Sequence, residues 1–448
     1  MNYQESVRAL LALGRELASP RHARVQKFGL EGITTLAAGL GDPHRAVPCV
    51  HIAGTNGKGS TAAMLDSILR AAGLGTGLYT SPHLERMNER IRINGAEVSD
   101  DDFAALWTRL HDSIESLLAA GKLHAHPTFF ECITAMGFLA FASRSLDIAI
   151  YEVGLGGRLD ATNIVTPTVA IITPIDFDHE NFLGHSINEI AAEKAGIIKP
   201  GTTVVSSVER PDAREVIGRR CAERNARLID VDQEWRLENV SASDGMYQAL
   251  ARSTRSERTL ALAPSLPGRF QLRNALAAAT GATLLREHLF QVLDAAIANG
   301  IHTARWPGRL ERVAVDPAVY IDGTHNPAGA RQLVQFWDEN FAGRRIHLVY
   351  GAMRDKAVDE VAGLLFPRAE TVTLSEPRQP RVVSASLLEE MTAHLARRSF
   401  VIRDPVAALE HAIAQARPGD AVFVTGSLYL VADLRPVCVN LAASKHSH

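Results

Sequence analysis

Between residues 48 and 175, four short apolar runs alternate with longer stretches of helical periodicity. The runs are PCVHIAG (48–54), GLYTS (77–81), LDIAIYEVG (146–154) and TVAIITPI (168–175). They are too short for typical helices and are bounded by Gly, Pro and polar residues, so they predict strands. Helices are predicted over 58–72, from Ser99 onward, and over 128–143. Ser99 followed by Asp102 is a variant of the capping box, a helix start signal. Strands separated by such helices predict a parallel sheet covered on both faces. Ligands of such sheets bind beyond the carboxyl ends of the strands.

A second alternation begins after about residue 300, with strands predicted at 318–323, 346–352, 371–376 and 421–427 and helical patterns between them. Before it, two prolines and a glycine in ALAPSLPGRF precede a helix predicted over 271–286. The glycine- and proline-containing NGIHTARWPGR, near 298–308, predicts the linker. Weak alternation within 225–262 predicts an antiparallel edge or β-hairpin of the first domain. The fold class expected is α/β. A parallel-sheet domain spans 1–300, and a Rossmann-like α/β domain spans 301–448.

Length agrees, since 448 residues exceed what one ordinary core organises. A composition of 46% hydrophobic and 22% charged residues excludes a disordered or fibrous chain. The net charge of −3 offers no field for nucleic acid or an anionic membrane. Glu5, Arg8, Arg15 and Glu16 interrupt the start, unlike a signal peptide, and no bilayer-length stretch is free of charge. Cys49, Cys132, Cys221 and Cys438 lack paired spacing, which suits a reducing compartment and excludes a cysteine-based zinc site. A soluble cytoplasmic protein is the expectation.

The chemistry starts at HIAGTNGKGST (51–61). A strand runs into Gly54, Thr55, Asn56, Gly57, Lys58, Gly59 and Ser60, and then a helix. Glycines let backbone N–H groups turn in around phosphate oxygens, Lys58 adds a point charge, and the helix N-terminus adds its partial positive charge. The loop is a variant: Ile52 stands where the usual P-loop has its first glycine, and Gly59 separates the lysine from the Ser60 hydroxyl. In AIYEVGLGGRLDATNIV (149–165), Glu152 ends an apolar strand ahead of a glycine run. A carboxylate there, facing a phosphate loop, suits the Mg²⁺ that accompanies ATP.

GTNGKGS resembles the loop of the Mur-ligase superfamily, specifically its folylpolyglutamate and dihydrofolate synthases. Further strings resemble that family in the same order: YTSPHLERMNERIRING (79–95), GLGGRLDATN, the DH of TPIDFDHENF, EKAGI, RFQLRNALAAAT, WPGRLERV, DGTHNP and TGSLY. The likeness extends from about residue 23 to about 435. It implies a carboxylate activated by ATP as an acyl phosphate and captured by the amine of L-glutamate. Ser81, Glu152 and His179 would ligate two Mg²⁺ ions, and Lys194 would be carbamylated into a carboxylate-like ligand. Asn274 and Arg309 would hold ATP, with Asp322 and His325 closing the site from the second domain. Phe28 and Gly29, together with Thr128, Phe129, Phe130 and Glu131, would line the pterin site. Leu159, Asp160 and Ala161 would complete the substrate wall, and Ser427 would meet the incoming amino acid or the transferred phosphate.

Arg158 and Leu159 in GGRLDATN are similar to enzymes that both make dihydrofolate and extend polyglutamates, acting on dihydropteroate or folate as monomers. A synthase that only extends is the near alternative. A cell-wall Mur ligase would carry a further N-terminal nucleotide-sugar domain, and only about 50 residues precede the loop. A P-loop NTPase switch would hydrolyse nucleotide without glutamate, and the charge balance shows no surface for its partner.

Overall fold

The computed structural model describes residues 1–13, 29–288, 290–354 and 356–445. Eight strands form the first sheet: β1 (Cys49–Ala53), β2 (Thr76–Tyr79), β3 (Ile91–Ile93), β4 (Ala96–Glu97), β5 (Ile148–Glu152), β6 (Val169–Ile172), β7 (Thr203–Ser206) and β8 (Arg227–Asp230). Their order is β4-β3-β2-β5-β1-β6-β7-β8, parallel from β2 to β8 with β3 and β4 antiparallel at one edge. The chain leaves β1 for β2 on one side, and later places β6 on the other. Beside β1 the sheet therefore has the reversal at which open α/β sheets bind ligands.

Alternation along β1 serves two cores. Val50 and Ile52 pack with Met64, Leu65 and Ile68 of the Lys58–Ala71 helix and with the Phe270–Leu285 helix. Cys49 faces the opposite cluster, built from Phe103, Trp107, Ile133, Phe138, Phe141 and Tyr151. Ser99 caps the Asp100–Ala119 helix by accepting from Asp102 N at 3.0 Å. Thr128 and Glu131 form a full capping box at the start of the Phe129–Ala142 helix.

Three strands, β9 (Trp235–Ser243), β10 (Met246–Ser253) and β11 (Thr259–Leu262), form a separate antiparallel sheet. Within 225–262 the hairpin expectation is met there, but RLID is β8 of the parallel sheet and no part of the hairpin. The second domain carries β12 (Glu311–Val315), β13 (Ala318–Ile321), β14 (Ile346–Tyr350), β15 (Thr371–Leu374), β16 (Ser399–Val401) and β17 (Ala421–Thr425). Their order is β12-β13-β17-β14-β15-β16, parallel except for β12. No helix among the described residues is long and apolar enough to cross a membrane.

The linker expected at 298–308 is corrected in its first half. Asp294–Thr303 is a helix packed on Lys58–Ala71, and the chain passes between the sheets over 304–310. The glycine that looked like a loop signal is a contact point: a Cβ on Gly300 would stand 2.3 Å from Ile68 Cα. Only a residue without a side chain lets the two helix backbones approach so closely. Gly300→Ala is therefore expected to cost about 1–3 kcal/mol through overpacking. A denaturant midpoint equal to that of the unsubstituted chain would show that the helices part without penalty.

Candidate active site

The carboxyl ends of β1, β2, β5 and β6 face those of β13 and β17 across a cavity of about 600 Å³. Its wall contains Gly54 to Ser60, Ser81, Glu152, His179, Lys194, Asn274, Arg309, Asp322 and His325. Residues spread over more than 270 positions of sequence thus meet because both sheets end there.

Gly57 has φ +85° and precedes the Lys58–Ala71 helix, and a Cβ on it would stand 2.3 Å from Asn274 Oδ1. Both the turn and the neighbour require glycine. Asn274 is held by donating to Gln271 Oε1 at 2.8 Å. Lys58 Nζ folds back to donate to the carbonyls of Gly54 (3.0 Å) and Thr55 (3.1 Å). Lys194 Nζ donates to the same Gly54 carbonyl at 2.8 Å. Burial lowers the pKa of both lysines. For Lys194, burial and then the charge of Lys58 push it down to about 7, against Asp178 and Asp160. Burial also raises the Glu152 carboxyl, with Lys58 the first opposing influence.

Glu152 Oε2 accepts from Ser81 N at 3.1 Å. The Ser81 hydroxyl beside it is buried and has no hydrogen-bond partner among the described residues. An orphaned hydroxyl oxygen next to a buried carboxylate is the hard-oxygen donor set that Mg²⁺ takes, and the residues fit that ion. The remainder of 79–95 is no solvated loop. Glu89 accepts the backbone N–H groups of Leu84, Glu85 and Arg86, and Arg90 Nε donates to His83 Nδ1 at 2.8 Å.

His179 lies in the left-handed region, φ +51°, where non-glycine residues are uncommon and cluster at sites. Its Nε2 accepts from Lys356 Nζ at 3.0 Å. Asp178 is the hub: Oδ1 accepts from Lys356 Nζ at 2.9 Å and Oδ2 from Asn326 Nδ2 at 3.1 Å, with His325 Nε2 3.7 Å from Oδ2. Asn326 and Asn56 also exchange amide hydrogen bonds of 3.0 and 3.1 Å. Asp322 is spent on its own domain, accepting from Leu310 N and Thr324 N at 2.8 and 2.9 Å. This ties together the two loops, before β12 and after β13, that carry Arg309 and His325.

The described substrate-side residues lie outside the cavity wall. Phe28 lies outside the described residues. Thr128 and Glu131 are engaged with each other, and Glu131 Oε1 lies against Gly32, so the helix after Gly29 and the 128–131 string adjoin. Phe130 covers Gly154, where a Cβ would stand 2.4 Å from its ring, and Phe129 stacks under Arg90. Asp160 clamps the glycine run, accepting from Gly154 N, Leu155 N, Thr162 N and Thr162 Oγ1. Leu159 is partly buried and Ala161 buried beside it. Ser427 Oγ accepts from Tyr429 N at 3.1 Å at the start of the last helix, and its neighbour Leu428 reaches the cavity.

Sequence reasoning passed over Lys356 and gave Asp178 and Asn326 no role. Lys356 follows β14 at a strand's carboxyl end, the one signal that could have flagged it. Burial raises the Asp178 pKa, but Lys356, His325 and His179 together hold it well below its ordinary value of 3.8. A depressed carboxylate contributes stability that is complete above the unfolded pKa and is lost as pH falls toward the folded one. Asp178→Asn is therefore expected to be destabilising near neutrality, with the difference from the unsubstituted chain shrinking below pH 3.8. A difference that stays constant on acidification, measured by denaturant midpoints, would remove the ionised hub.

Residues 52–282 match the Mur ligase middle domain, and residues 308–428 match the Mur ligase glutamate ligase domain. The chain is 37% identical over 426 residues to the dihydrofolate synthase/folylpolyglutamate synthase of Bacillus subtilis, covering 92% of this chain and 96% of that one. It is 35% identical over 419 residues to the Escherichia coli protein of the same name, covering 93% and 92%. Mycobacterium tuberculosis folylpolyglutamate synthase complexed with ADP and AMPPCP superposes with a TM-score of 0.86 at 30% identity, covering 97% of this chain and 99% of that one. Escherichia coli FolC in complex with DHPP and ADP gives a TM-score of 0.83 at 30% identity, with 99% of each covered. The chain belongs to the Mur ligase family, in its dihydrofolate synthase/folylpolyglutamate synthase branch.

Proposed function

We propose that this chain is an ATP-dependent ligase that adds L-glutamate to dihydropteroate, giving dihydrofolate, and to tetrahydrofolate, giving polyglutamates. The observation that carries the proposal is the joining of Lys58, Lys194, Ser81 and Glu152 of one domain with Arg309 and His325 of the other around one cavity. Relatives whose complexes contain ADP support nucleotide binding there. The Bacillus subtilis, Mycobacterium tuberculosis and Escherichia coli relatives carry both activities in their names, which favours the bifunctional reading. A Lacticaseibacillus casei relative, 32% identical, is named folylpolyglutamate synthase alone, so extension without dihydrofolate synthesis is the second reading.

In the proposed reaction the substrate carboxylate attacks the γ-phosphorus of ATP, forming an acyl phosphate and releasing ADP. The amine of glutamate then attacks the acyl carbon, phosphate leaves, and a proton is lost from the new amide nitrogen. The glycine loop and Lys58 would hold the phosphates, and Arg309 would neutralise charge developing in transfer. Mg²⁺ on Ser81 and Glu152, with His179 for a second ion, would supply charge neutralisation at the phosphate oxygens. Enclosure between two domains would keep water from the acyl phosphate.

Carbamylation of Lys194 is part of the same reading. An amine whose pKa is near 7 is substantially neutral at physiological pH, and the neutral nitrogen attacks CO₂, losing a proton as the carbamate forms. Nearby Lys58 would then pair with an anion where it now meets a second amine.

Phosphate release should require ATP, glutamate and either dihydropteroate or tetrahydrofolate. Turnover with tetrahydrofolate alone would leave only the extending enzyme, and release without glutamate would overturn the ligase. Glu152→Ala should lower turnover by about 10²-fold or more, and near-normal turnover would end its metal role. With carbon-labelled bicarbonate at a pH above 7, a carbamate resonance is expected that Lys194→Ala abolishes; its persistence in that variant would assign it elsewhere.

A further inference from the structure

Away from the cavity, the Asp100–Ala119 helix and the segment after it bring together His111, Glu115 and His126. One ligand atom from each lies within 4.8 Å of the others. His111 and Glu115 are one turn apart on the same helix face, with His111 Nδ1 3.9 Å from Glu115 Oε1. His126 Nε2 reaches the same Glu115 oxygen, also at 3.9 Å. None of the three lines the cavity.

Two further observations orient the imidazoles as ligands. His126 Nδ1 lies 3.2 Å from the carbonyl oxygen of Pro127. A carbonyl only accepts, so Nδ1 acts as the donor there and Nε2, on the Glu115 side, is the nitrogen available to a metal. A second-ring-nitrogen bond to a backbone carbonyl is the usual support of a metal-bound histidine. His111 is stacked on Trp107, with ring centroids 5.6 Å apart and planes at 21°. Its Nδ1 is buried without a hydrogen-bond partner among the described residues.

We infer that His111, Glu115 and His126 bind a borderline divalent cation of the Zn²⁺ type. Two imidazole nitrogens and one carboxylate leave a fourth, solvent-facing position for water. Ligands on a tetrahedral Zn²⁺ stand about 3.3 Å apart, so the three ligand atoms, now within 4.8 Å of one another, would draw together on binding. The bound ion ties the segment after the helix to the helix itself. His126 stands two residues before Thr128, the cap of the Phe129–Ala142 helix, so the tether restrains the approach to that helix.

The test is equilibrium dialysis of the full chain against Zn²⁺, with Mg²⁺ in large excess to occupy hard-oxygen sites, followed by hydrogen exchange. One Zn²⁺ per chain is expected, with affinity reduced at least about 10-fold in His111→Ala and in His126→Ala. Glu115→Gln, an exposed change that spares the fold, should weaken binding too, whereas His124→Ala should not. Absence of uptake, or equal uptake by the unsubstituted chain and the three ligand variants, would overturn the site. Zn²⁺ should also slow amide exchange over residues 120–126, and unchanged exchange with Zn²⁺ bound would overturn the tether.

Discussion

Two lysine side chains, Lys58 and Lys194, converge on one backbone carbonyl, that of Gly54. Charging both amines so close together is costly, because low dielectric strengthens their repulsion and removes their hydration, and Lys194 is accordingly pushed down to about 7. The fold offsets this with carboxylates at the ends of neighbouring strands. Glu152 ends β5 directly beside β1, and Asp178 follows β6 on the other side. The strand order thus has an electrostatic reading: the basic loop leaves the sheet between the two strands that supply its counter-charges. The cavity in front of the loop is correspondingly suited to anions such as phosphate oxygens.

The same economy joins the two domains. Asp178 belongs to the first domain, but Lys356 and Asn326, which satisfy it, come from the second. Asn56, inside the phosphate loop, is paired with Asn326 by two hydrogen bonds. An ion pair between Arg331 and Asp176 extends the seam at 2.7 Å. Moving the second domain therefore changes the surroundings of the phosphate loop and of the DH pair together. Such coupling suits a reaction whose intermediate must be kept from water.

Much of this was legible in the residues. Every strand predicted from the short apolar runs is present, because a doubly covered parallel sheet demands continuous apolar segments. The loop and Glu152 were recognisable from glycines and a carboxylate at strand ends, whereas the DH pair and DGTHNP were recognisable only through their resemblance to the family's strings. Edge strands were not legible: β3 is three residues long and β4 two, too short for a period to register. Gly300 misled for a different reason. A glycine chosen for helix–helix contact and a glycine chosen for a turn look alike in one dimension, and only Ile68 across the gap distinguishes them.

The sequence by itself determined the central strands, the phosphate loop and which chemical groups stand at strand ends, since these follow from local periodicity and residue type. Only the tertiary structure decided how those groups divide their work. Asp160, Ser427 and Thr128 look like ligand-binding residues in the chain, yet their oxygens are engaged by nearby backbone N–H groups. Ser81, expected as a metal ligand from the family resemblance alone, has its hydroxyl left buried and unpartnered among the described residues beside Glu152. Lys356 carries no motif at all and becomes a partner of Asp178 from 178 residues away. Whether a polar atom is satisfied depends on what packs against it in space, and that is settled only when the two sheets meet.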